Sequence, residues 1–210
     1  MLLTAVLSFA VMAGLVTIVP GLDTAIVLRS AVTHGRRQAF ATALGINTGV
    51  LIWGAGAAVG VSALLTASTV AYTVVRIAGA GYMVWLGARL LWTALHDRRG
   101  PGIELRPTVA SGWFRCWTRG LMTNLLNPKI GAFYVAVLPQ FIPPDTSHLA
   151  VGLLLALVHN VEGLLWFSAI ILGVHTIRAA LARRSVQQVV DAVTGTTLIG
   201  FGLKLGLSSK

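Results

Sequence analysis

The sequence predicts an all-α polytopic membrane protein: six transmembrane helices forming two inverted three-helix repeats, with helices 1 and 4 broken at proline-containing motifs. Three observations predict it. Of 210 residues, 56% are apolar and 10% charged, where a soluble domain carries about 25% charged. Apolar stretches of the roughly 20 residues that a bilayer demands recur along the chain. Basic residues gather in every second connection, the signature of membrane orientation.

The first stretch runs from Leu2 to about Leu28 and is interrupted at Pro20-Gly21. It lacks a basic leader and continues past the proline, so it reads as a span and not a cleavable signal. The others are about Ala39–Leu64, Val70–Trp92, Thr118–Leu138, Leu149–Val174 and Val189–Leu207. The first connection holds Arg29, Arg36 and Arg37, the third Arg89, Arg98, Arg99, Arg106 and Arg115, and the fifth Arg178, Arg183 and Arg184. The second, at Ala67-Ser68-Thr69, and the fourth, at Pro143-Pro144-Asp145, hold no Lys or Arg. The positive-inside rule then puts both termini outside the plasma (inner) membrane, with Lys204 and Lys210 a mild exception. Trp92, Trp113 and Trp117 fall at the expected inner interface. The whole chain is one transmembrane domain: residues 1–95, a basic cytoplasmic loop 96–117 with the linker Arg98-Arg99-Gly100-Pro101-Gly102, and residues 118–210.

The two halves resemble each other. Ala43-Leu44 to Asn47 and Trp53 matches Ala156-Leu157 to Asn160 and Trp166 at an offset of 113. Val74-Val75-Arg76 to Gly87 matches Val189-Val190-Asp191 to Gly202 at 115, and Pro20 matches Pro128 at 108. Two copies with an odd number of spans must be inverted, an architecture of secondary transporters whose sites lie where helices are interrupted.

Those interruptions carry the chemistry. Proline removes one backbone hydrogen bond and obstructs another, and in lipid the freed groups need partners. Pro20-Gly21 and Asn127-Pro128 therefore mark breaks facing a cavity: restarting N-termini favour a carboxylate and freed carbonyls an ammonium. An ordinary proline kink is the bland alternative. Asp23, Lys129, Glu162 and, marginally, Arg76 are charges within spans, each costing about 2.5–3.5 kcal/mol if lipid-exposed at mid-helix. Asp23 and Lys129 are expected to pair, then exchange partners with a zwitterion; the alternative is a permanent structural bridge. Glu162, beside His159 and Asn160, is the candidate proton-coupling group together with Asp23, or else merely lines a polar crevice. Arg76 and Asp191 read as interfacial anchors. Gly45, Gly49, Gly56 and Gly60 share one side of helix 2 and suit close internal packing, with a homodimer face as the alternative. Gly79, Gly87, Gly200 and Gly202 read similarly.

Several classes are excluded. The lone Cys116 allows no internal disulfide, redox pair or thiolate cage. The five histidines lack metal-ligand spacing, so no metal and no cofactor is expected. The net charge of +10 orients the chain in the bilayer, and no nucleic acid is expected. No HExxH, GxSxG or GxxxxGK[ST] motif occurs, which argues against an enzyme or an ATP-driven pump.

Pro20-Gly21-Leu22-Asp23 with Gly35-Arg36-Arg37, Gly45 and Gly49 resembles the first signature of the LysE/RhtB family of amino-acid exporters. Ala78-Gly79-Ala80-Gly81-Tyr82 with Trp85-Leu86-Gly87 resembles its third helix. Arg119-Gly120, Asn124-Leu125-Leu126-Asn127-Pro128-Lys129 and Leu138-Pro139-Gln140-Phe141 resemble its fourth. The likeness is strong over about residues 5–145 and topological beyond. It implies a six-helix inner-membrane exporter of amino acids or close derivatives, driven by the proton gradient, with Pro20, Gly21, Asn127, Pro128 and Lys129 as signature positions. Two departures stand out. Leu22 replaces a second proline, which softens the first break, and Asp23 stands where many members have Asn. The rival readings are an exporter of a metal cation or another small solute, and a non-transporting assembly protein.

Overall fold

The computed structural model describes residues 2–67, 69–96, 112–143, 145–174 and 183–207. The expectations for Ser68, Pro144, Lys210, Arg178 and the loop bases Arg98, Arg99 and Arg106 lie outside the described residues, as do those for the Arg76 and Lys204 side chains. Among the described residues all regular structure is helical: α1 (Leu2–Ile18), α2 (Leu22–Thr33), α3 (Arg36–Ala67), α4 (Thr69–His96), α5 (Trp113–Leu125), α6 (Pro128–Val137), a 3-10 turn (Leu138–Phe141), α7 (His148–Leu172) and α8 (Arg184–Leu207).

Both expected breaks are present. The helix stops at Ile18 and restarts at Leu22 with a 54° bend. A single proline followed by an extended Gly21 thus breaks the helix fully; Leu22 opens α2 and does not soften the break. At the second break Asn127 caps α6, its side-chain oxygen accepting from the Lys129 N–H at 3.1 Å, and Pro128 takes the first helical position. Asn before Pro suits this restart because the cap needs an acceptor and the first turn needs no N–H. Gly35, at φ +88°, makes the tight turn from α2 to α3.

By length and apolarity α3 and α7 each suffice to cross a bilayer, and α1 with α2 does so as a bent pair. Packing directions follow from which residues meet. Gly54 lies against Ala156 and the Gly152 carbonyl, and farther along α3 Ala58 meets Gly152, so α3 and α7 are antiparallel. Along α4 and α8, Ala80 meets Gly202, Gly87 meets Gly195, and the Ala94 carbonyl accepts from Gln188 Nε2 at 2.9 Å. This second antiparallel seam has a contact every seven residues, the coiled-coil period. On α5, Trp117, Leu121 and Asn124 meet Gly45 and Gly49 of α3 in rising order, so α3 and α5 are parallel.

Gly45 and Gly49 thus pack internally, and a Cβ on Gly45 would overlap the Trp117 carbonyl. Gly56 and Gly60 do not: a Cβ there would meet nothing within 4 Å. The same holds for Gly200, whereas Gly79, Gly87 and Gly202 are tightly packed. Sharing a helix side was not enough, because α5 ends at Leu125 and its neighbour extends no farther along that stripe. Gly54, on another side of α3, is the close-packing glycine farther on.

Two apolar clusters form the core. One joins Phe9, Met12, Val50, Tyr134, Leu138 and Leu155. The other joins Val27, Leu28, Ala43, Ile46, Phe167 and Ile171. On α3, Asn47 falls between the two clusters; on α7, His159 and Asn160 do; across the first break, Asp23 and Thr24 do. The molecule therefore carries a buried polar layer between two apolar ones.

Candidate functional site at the two helix breaks

The polar layer is where the breaks meet. Pro20 leaves carbonyls of the last turn of α1 without helical donors, and Lys129, just inside α6, supplies them. Its Nζ donates to the Val16 carbonyl at 3.0 Å and to the Val19 carbonyl at 3.2 Å. Gly21 leaves space for it: a Cβ there would stand 3.2 Å from Nζ. Asp23, in the first turn of α2, accepts from Asn124 Nδ2 at 2.9 Å through Oδ2. The expected Asp23–Lys129 pair is therefore not made. The ammonium takes carbonyls freed by the opposite break, and the carboxylate takes an amide from the turn before its own partner break. Helix ends bearing unsatisfied backbone groups compete well with a side-chain ion pair for a buried charge.

Asn124 is the neighbour of Asp23 that sequence reasoning passed over as a site residue. It is completely buried. Gly49 of α3 makes room for its side chain, and its carbonyl accepts from Trp53 Nε1 at 3.4 Å. An amide inside an apolar span, three residues before Asn127, was the available signal. Asn47, His159, Asn160 and Thr24, buried polar residues of the same layer, are also polar groups within apolar stretches.

A cavity of about 30 Å³ lies between Asp23, Thr17, Asn47, Asn124, Lys129 and His159. It has room for about two waters. Several buried polar atoms of this layer have no hydrogen-bond partner: Asp23 Oδ1, Asn124 Oδ1, Asn127 Nδ2 and Asn160 Oδ1. Native interiors rarely leave such atoms unpaired, so water or another polar group suits this place. On the far side of Lys129 a second, smaller cavity is apolar, with Val19, Met83, Leu86 and Leu198 in its wall.

His159 links three elements. Its Nδ1 shares a 3.0 Å hydrogen bond with the Tyr134 hydroxyl of α6, and its Nε2 another of 3.0 Å with Thr17 Oγ1 of α1. Glu162 is not brought into the central cavity. Its carboxylate lies against α1, where a Cβ on Gly14 would be 3.7 Å from Oε1, and its Oε2 is buried without a partner. The structure thus joins Pro20, Gly21, Asp23, Asn127, Pro128 and Lys129 in one layer, with Glu162 beside it.

A family model described as LysE type translocator matches residues 4–209. The chain belongs to that family. The match extends well beyond residue 145, where the sequence resemblance was strong, so the second half shares more than topology. Relatives include the uncharacterised membrane protein YrhP of Bacillus subtilis, 27% identical over 96% of this chain and 98% of its own. A leucine efflux protein of Klebsiella pneumoniae subsp. pneumoniae is 30% identical over 95% of this chain and 93% of its own. A threonine efflux protein of Salmonella typhi is 30% identical over 90% and 91%. No solved structure matches the chain.

Proposed function

We propose that this LysE-type translocator exports amino acids or close derivatives across the plasma membrane by alternating access, in exchange for protons. One observation carries the reading: the ammonium of Lys129 occupies the carbonyls of Val16 and Val19 at the facing break. Those carbonyls suit the amino group of a zwitterion equally well. An incoming amino group displaces Lys129 from them, with Asp23 close by, and the released lysine meets the incoming carboxylate. Hydrogen bonds to charged groups contribute about 1.5–3 kcal/mol each. Exchanging one ammonium for another therefore costs little, and the site can release its cargo as readily as it takes it. The leucine and threonine efflux proteins among the relatives support the substrate class.

The spans are α1 with α2, α3, α4, α5 with α6, α7, and α8, arranged as two inverted repeats with both termini outside. The packing directions of α3, α5 and α7 and of α4 and α8 agree with this alternation. The repeat offsets support it too. At 113, Asn47 corresponds to Asn160, and the two meet: Asn160 Nδ2 donates to the Asn47 carbonyl at 3.1 Å. At 115, Gly87 corresponds to Gly202 and Ala80 to Gly195, so the Gly87–Gly195 and Ala80–Gly202 contacts are images of one another. Opening then means parting one apolar cluster while the other stays closed. Glu162 and Asp23 are the carboxylates that carry the coupling proton.

Cells overproducing the protein should resist a subset of toxic amino-acid analogues, and Lys129→Ala should abolish that resistance while the protein remains in the membrane. Undiminished efflux from the variant would reject the role of Lys129; no resistance to any analogue would reject the substrate class.

A further inference from the structure

The largest of the cavities described here is not at the breaks. It measures about 270 Å³ and lies between α2, α3 and the start of α5, at the end of the molecule that carries the basic connections. Arg29, Arg115 and Arg119 line it, with His34 and the buried Cys116. No Asp or Glu is among its described lining residues. Arg29 Nε is buried and has no hydrogen-bond partner. Its polar floor is the Thr42 hydroxyl donating to Ser30 Oγ at 3.2 Å. Membrane orientation accounts for bases at this end. It does not require three arginines from two helices to line one open cleft, where nothing negative among the described lining residues offsets them. Guanidinium forks match carboxylate and phosphate oxygens two at a time.

We propose that this cavity is an oxyanion-binding entry site that takes the carboxylate of the cargo on the cytoplasmic side. The inference rests on the export reading above. Arg29 and Asp23 share α2, six residues or roughly 9 Å apart along its axis. The apolar cluster around Val27, Leu28 and Phe167 separates the entry site from the breaks. A cargo molecule held by its carboxylate in the vestibule waits directly behind that seal, its amino group free to lead.

Cys116 is the chain's only cysteine and supplies a reporter inside the cavity. The test uses purified protein in phosphatidylcholine vesicles and two methanethiosulfonate reagents of similar size, one anionic and one cationic. The anionic reagent should modify Cys116 on the order of tenfold faster, the lower end of what charge-lined clefts achieve. Arg115→Gln with Arg119→Gln, both exposed positions, should bring the ratio near one, and the Lys pair should keep it. Leucine or threonine at millimolar concentration should slow the anionic reagent, and isoamylamine, which lacks a carboxylate, should not. Equal rates for the two reagents would overturn the oxyanion site. Protection by phosphatidylglycerol in the vesicles but by no amino acid would assign the site to a lipid headgroup and overturn the entry role. The labelling ratio does not depend on transport. Loss of all amino-acid efflux with the ratio intact therefore counts against the export reading, and intact efflux with no ratio counts against this site alone.

Discussion

Asn124 holds the acceptor side of the site together. Its amide is the donor to a buried carboxylate, and it is itself wedged against Gly49. Replacing it by Leu keeps the branching at Cγ and removes the donor. Leaving a buried acceptor unmet costs about 1–3 kcal/mol, more for a charge. Asn124→Leu should therefore lower the thermal midpoint of the detergent-solubilised protein and weaken efflux; an unchanged midpoint would mean that Asp23 finds another donor. Glu162 is a different case. Its orphaned oxygen faces α1, away from the cavity, which suits a group that senses a proton and not the cargo. In proteoliposomes Glu162→Gln should retain exchange of cargo for cargo and lose acceleration by a pH gradient. Full acceleration in the variant would leave Asp23 as the remaining candidate.

Helices fit here by backbone proximity. Gly45 and Gly120 both lie in the contact of α3 with α5: a Cβ on Gly45 would overlap the backbone at Trp117, and one on Gly120 the backbone at Thr42. That close approach is what delivers Asn124 to Asp23. Gly45→Val should force the pair apart, and overpacking costs about 1–3 kcal/mol or more. Gly56→Val and Gly60→Val, with open space before them, should leave the thermal midpoint nearly unchanged. If all three behave alike, the α3–α5 contact is not what limits stability. The sequence pointed to the glycine stripe correctly as a line on the helix. It did not show where along that line a neighbour stops, because a helix's partner is decided by other segments. The breaks were more legible. A proline's missing N–H and fixed φ act on its own turn, so Pro20-Gly21 and Asn127-Pro128 could be read locally.

The whole molecule is organised by charge at one end and polarity in its middle layer. The orientation proposed above makes a direct prediction. With Cys116 replaced by Ala, a cysteine at Asp145 should react with an impermeant thiol reagent added to intact cells, and one at Arg37 only after the membrane is opened. The reverse pattern would invert the direction of transport assigned to the site.

The sequence by itself determined that the chain lives in a bilayer and where its helices break. Each of these follows from composition or from interactions within a turn or two. Tertiary structure alone decided that Lys129 serves Val16 and Val19, that Asp23 is held by Asn124, and that Glu162 stands outside the cavity. These partners lie more than 100 residues apart in the chain for the first two cases. Which of several donors reaches a given acceptor depends on helix rotation and separation at the level of an ångström. The close glycine contacts of α3 with α5 and the packing of Phe9 on Phe133 fix those.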